Sequence, residues 1–137
     1  MADAAAIRAP ILFSREEALE IVGLPPEILT RWEAAACAAG FCTPTDYPLS
    51  GLVALSVLHA CAGTPGAEIE FAIGVAQLFR LLGKSDLRRL AAQTAIVGRD
   101  GASLCELRAA HVHFDGDAWL AIPLRPLVSA LQDRIFA

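Results

Sequence analysis

The run FSREEALEIVGLPPEILTRWEAA, Phe13 to Ala35, constrains the fold of this chain more than any other segment. Its caps, turn and apolar spacing predict a helix-turn-helix. Ser14 is placed to cap a first helix, Glu17 to close a capping box with it, and Phe13 with Ala18 to form a hydrophobic staple. Gly23 is the natural stop, because glycine enters the left-handed region without steric cost. Leu24-Pro25-Pro26 then opens a second helix with Pro26 at its first position. Ala18 permits close helix approach, and Leu19, Val22, Leu24, Ile28, Leu29 and Trp32 recur at helical spacing as one shared core. Glu27, Thr30 and Arg31 are left facing outward on the second helix, with Glu33 and Ala34 beside them. A DNA-reading helix turns such a face to the major groove, although many helix pairs show the same pattern for packing alone.

With 137 residues, 55% of them hydrophobic, the chain carries enough apolar material for one core without disulfide or metal staples. Its formal charge of -4 and pI near 5.3 run against phosphate neutralisation. The imbalance is local. Up to Ala60 the bases are Arg8, Arg15 and Arg31, against Asp3, Glu16, Glu17, Glu20, Glu27, Glu33 and Asp46, whereas the rest of the chain is balanced. Cys37, Cys42, Cys61 and Cys105 form no CxxC pair, and the opening MADAAAIRAP lacks a basic leader, so a reducing cytoplasm is the expected compartment. The longest uncharged run, residues 47–67, is interrupted by Pro48, Gly51, His59, Gly63 and Pro65, which predicts a buried helix and no membrane span.

Downstream of Gly40, the stretch FCTPTDYP predicts a loop or a short two-stranded wing. A third helix is expected over Leu49 to Ala62, and a fourth, started by Thr64 and Pro65, through Leu82. The fourth is apolar on more than one face, so it is either central to the fold or half covered by a second copy of the chain. Ser85 would cap a fifth helix, Asp86 to Val97, and Ser103 with Glu106 a brief one to Ala109. HVHFDGDAWLAIPL alternates about Asp115-Gly116-Asp117 as a hairpin does. Pro126 starts a last helix striped by Leu127, Val128, Leu131 and Ile135. The expected fold is mainly α: a winged helix-turn-helix over residues 11–62, then further helices and a small C-terminal β-hairpin over 63–137, as one domain behind a loose segment 1–10.

The order of these features resembles the mercury-resistance-regulator (MerR) class over about residues 12–82. The family pattern has a capped helix carrying alanine, a glycine turn, an arginine-aromatic pair in the second helix, a glycine, a wing, and tyrosine and glycine entries to two further helices. Ala18, Gly23, Arg31-Trp32, Gly40, Tyr47 and Gly63 stand at these places. The resemblance implies a dimeric transcriptional regulator that binds double-stranded promoter DNA, with its second helix in the major groove and its wing on the flanking backbone. It also implies Arg15, Thr30 and Arg31 as the DNA-contacting residues. The chain departs from the pattern where the wing FCTPTDYPLS carries one acid and no base, and where Gly51 stands at a common aspartate position. Gly83 and Gly98 also interrupt the place of a long dimerisation helix.

Other chemistry has weaker support. His111 and His113 share one side of an alternating strand, but read more simply as polar residues of a hairpin face. His59 and Cys61 diverge on a helix, Cys37 and Cys42 have no histidine at ligand spacing, and buried small hydrophobes account for the cysteines. Asp100, Asp115 and Asp117 sit beside glycines in turns that favour Asp for its own backbone bonding. No enzyme activity, cofactor or metal is expected. Two further readings remain: an interaction module whose acidic face meets RNA polymerase or another regulatory protein, and a ligand-gated sensor with a pocket between the fourth helix and the hairpin.

Overall fold

The computed structural model describes residues 11–83, 85–106 and 120–136. Its architecture is mainly α, with two small antiparallel sheets. Helix α1, Arg15–Val22, begins where the capping box predicts: Ser14 Oγ accepts from the Glu17 amide at 3.1 Å, and the Glu17 carboxylate accepts from the Ser14 amide at 3.0 Å. These bonds hold the Glu17 carboxyl below the usual carboxylate range. Gly23, at φ 75°, ends the helix and donates to the Leu19 carbonyl. Pro26 then opens α2, Pro26–Ala38. Short strands β1, Phe13–Ser14, and β2, Asp46–Tyr47, pair across the helix pair with Phe13 opposite Tyr47. Residues 41–45 contribute no strand of their own, so the ribbon is built from the start of α1 and the end of the loop.

Helix α3, Leu49–Cys61, is buried along almost its whole length and packs against α1, α5 and α7, which makes it the axis of the core. Its buried Ser56 hydroxyl donates back to the Leu52 carbonyl at 2.9 Å. The expected continuous fourth helix is instead two: α4, Ala67–Glu70, and α5, Ala72–Leu82, separated at Phe71 where φ and ψ are -102° and 20°. The break buries the Phe71 ring and leaves Ile69 in solvent. Helix α5 is central, with Ala72, Gly74, Val75, Ala76, Leu78 and Leu82 all buried.

Two expected helices are corrected. Only Leu87–Leu90 is helical in the fifth, as the short α6, capped by Asp86 accepting from the Arg89 amide and not by Ser85. Gln93–Val97 is β3, the central strand of a three-stranded sheet in the order β4-β3-β5. Thr94, Ala95, Ile96 and Val97 are buried in succession, as on a strand covered on both faces, so no alternation marks it against a helix. The Ser103–Glu106 spacing is not a capping box either: Ala102–Glu106 is β4, returning from β3 through a turn closed by the Gly98 amide on the Gly101 carbonyl at 2.8 Å. The expected hairpin turn at Asp115–Asp117 lies outside the described residues, as do His111, His113, Trp119 and the segment 1–10. Leu120–Pro123 is β5 and pairs antiparallel with β3. The last helix, α7, Arg125–Ile135, turns Val128 and Leu131 into the core as its stripe predicts.

At one crossing the packing leaves no room for a side chain. Gly74 of α5 meets the backbone of the β3–β4 turn at Gly98 and Gly101. One turn along α5, Gln77 accepts from the Ala102 amide at 3.3 Å and donates to the Asp100 carbonyl at 3.4 Å, while Arg99 pairs with Glu70.

Candidate nucleic-acid interface

The α1–α2 pair sorts its residues by the capping and spacing described above. Leu29, Trp32 and Ala36 go inward, Trp32 being only 1% exposed, and its indole N–H donates to the Ala72 carbonyl at 3.1 Å. Glu27, Thr30, Arg31 and Ala34 stand in solvent, with Glu33 half-buried beside them. Helix α7 packs against α1 and α3, and its Arg134 donates to the Ile21 carbonyl, so it braces the helix pair from the side of α1.

The structure joins Arg15 and Thr30. The Arg15 guanidinium lies 2.9 Å from Glu33 Oε1 and donates to Thr30 Oγ1 at 3.1 Å, and the Thr30 hydroxyl donates in turn to the Pro26 carbonyl at 3.0 Å. The hydrogen bond to Glu33 raises the Arg15 pKa further, so this network ties the start of α1 to the middle of α2 as a fixed ion pair. Arg31 is held apart from it. Its Nε lies 3.2 Å from Oε1 of Glu68 on α4, a carboxylate whose side chain is 5% exposed against 52% for Arg31. Each of the two expected DNA-contacting arginines therefore already carries a carboxylate of its own chain.

Tyr47, the residue that ends β2, is fully buried, and its hydroxyl has no hydrogen-bond partner. Desolvation, with the Glu33 charge adding to it and Arg15 opposing, pushes the phenol up to about 12. The two carboxylates that define the electrostatics here differ in how readily sequence shows them. Glu33 lies on the outward arc of α2. Glu68 lies on a separate helix with no local signal that links it to Arg31.

The cysteines correct the expectation of uniform burial: Cys37 and Cys42 are exposed and Cys105 is intermediate. Cys61 is buried, and desolvation pushes its thiol up to about 11. Among the described residues, no group of three His, Cys, Asp or Glu side chains is arranged to hold a metal ion, and no helix is long and apolar enough to cross a membrane. Comparison of the chain with protein-family models, with curated protein sequences and with solved structures gives no match.

Proposed function

We propose that this protein is a DNA-binding transcriptional regulator that reads promoter DNA as a homodimer through a winged helix-turn-helix. In this reading α2 enters the major groove and the β1–β2 ribbon with its preceding loop is a short wing. The observation that carries it is the open outward face of α2, where Thr30 and Arg31 stand in solvent beside Arg15 while the apolar residues of the pair turn inward. Arg31 would leave Glu68 for a phosphate or a base edge, and the remaining buried carboxylate would make that exchange costly. Weak binding with a steep dependence on salt follows, and the second chain doubles the contact.

The test is retention of pooled genomic fragments at about 50 mM and about 200 mM salt, with Arg31→Ala as control. Retention of a few fragments at the lower salt, lost in the variant, is the expected result. No retention at either salt overturns the reading.

A second reading has its own observation: Arg15 and Arg31 are neutralised within the chain, while Glu16, Glu20 and Glu27 stand exposed on α1 and α2. Such a face suits a basic protein surface. In that case charge reversal at Glu16, Glu20 and Glu27 disrupts function and Arg31→Ala does not.

A further inference from the structure

Between α2, the 41–48 loop and α5 lies an open cleft of about 280 Å³. At its base are Trp32 and Phe79, stacked with ring centroids 5.3 Å apart at 28°. Phe41 adds a third ring, and the Arg80 guanidinium lies 5.2 Å from its centroid. The space exists because Gly51, Ala76 and Gly83 line the cleft with little or no side chain. Among the described residues, Arg80 is the one charged residue in the lining, is exposed, and makes no ion pair. Arg15, Arg31 and Arg99 each have a carboxylate partner.

Aromatic walls select a planar apolar body, and a cation without a counter-ion at the edge of such walls selects an anion. The size is informative as well. A dry cavity of roughly 150 Å³ takes up benzene, so this cleft has room for one or two fused rings with a small substituent. We propose that the cleft binds a small planar aromatic carboxylate, with its rings against Phe41 and Phe79 and its carboxylate on Arg80. The cleft shares the 41–48 loop and Trp32 with the proposed DNA interface, but neither Arg15 nor Arg31 lines it, so the binding proposal is tested separately from DNA binding.

Sodium 1-naphthoate and the neutral 1-naphthalenemethanol, titrated separately into isotope-labelled protein, test the proposal. The expected result is saturable shifts at the amides of Thr43, Gly51 and Gly83, with the carboxylate bound roughly tenfold more tightly than the alcohol. Arg80→Gln, a change at an exposed position, should leave the fold intact and erase that preference. In a Cys37→Ser background, naphthoate should also slow alkylation of the exposed Cys42 at the cleft rim. The proposal is overturned by the absence of saturable shifts at these amides up to about 5 mM ligand in folded protein. Equal affinity for the two probes, or an undiminished preference in Arg80→Gln, overturns it equally.

Discussion

Replacing Gly74 with alanine tests the packing argument at its tightest point. A Cβ there would overlap the Gly98 carbonyl oxygen and would come within 2.8 Å of Val97 Cγ1 and 2.9 Å of the Gly101 carbonyl oxygen. Ordinary contact begins at 3.4 Å, and two of the three obstacles are backbone, so rotamer changes cannot relieve the clash. Helix α5 and the β3–β4 turn must separate. Overpacking of this kind costs about 1–3 kcal/mol, and the upper end applies where backbone has to move. Separation also loosens the two hydrogen bonds of Gln77, worth together about 1 kcal/mol. Alanine returns about 1 kcal/mol of helix propensity relative to glycine. The net expectation is a loss of about 3 kcal/mol, a large share of the roughly 5–15 kcal/mol that stabilises a domain. Urea unfolding followed by circular dichroism measures it. For a slope of roughly 2 kcal/mol per molar urea, the midpoint should fall by about 1.5 M with the slope unchanged. A neutral or stabilised variant would mean that propensity dominates and that α5 does not press on the turn, which refutes the reasoning.

Three further outcomes follow from the same geometry. Ser14→Ala removes the hydroxyl that accepts from the Glu17 amide and should cost about 1 kcal/mol in thermal or urea unfolding, while Ser14→Asn restores most of it. Glu68→Gln frees Arg31 from its carboxylate. If Arg31 contacts DNA, fragment retention at about 50 mM salt should rise several-fold, and unchanged retention would exclude Arg31 from the contact. Tyr47 stays protonated in the fold up to about 12, whereas the unfolded chain releases its proton near 10.0, so deprotonation favours unfolding and stability falls as pH rises through that window. Cys61 adds a similar loss between 9.0 and about 11. Tyr47→Phe should flatten the upper part of this decline. Because it also deletes a buried hydroxyl without a partner, it should be neutral to about 1 kcal/mol more stable at pH 7.

What the sequence reveals about this fold divides along the range of the interactions. The start of α1, its stop at Gly23 and the entry of α2 at Pro26 are legible because each rests on residues within one helical turn of one another. Trp32 is legible as core because it shares a stripe with Leu29. The sheet is not legible in the same way. Gln93–Val97 is apolar without alternation, and Ser103 with Glu106 imitates a helix start, so local rules favour helices where strands form. The informative signal there is the Gly98–Gly101 turn, whose Asp-Gly step is a hairpin preference. The candidate interface divides likewise. The outward placement of Thr30 and Arg31 follows from helical spacing, but the pairing of Arg31 with Glu68 depends on where α4 docks, and no periodicity carries that. The aromatic cleft is in the same category, since Phe41, Phe79 and Arg80 meet only through the tertiary fold.

The hydrogen bond from Trp32 to the Ala72 carbonyl fixes α2 to the first turn of α5, two residues before Gly74 seats the β3–β4 turn on the same helix. The anchor of the outward-facing helix and the seat of the hairpin thus share one short rigid rod. Close-packed interiors pass displacement on instead of absorbing it. The contact that holds α2 and the contact that seats the β3–β4 turn lie within one turn of the same helix, so a substitution at Gly74 that displaces the turn acts on the segment to which Trp32 is bonded.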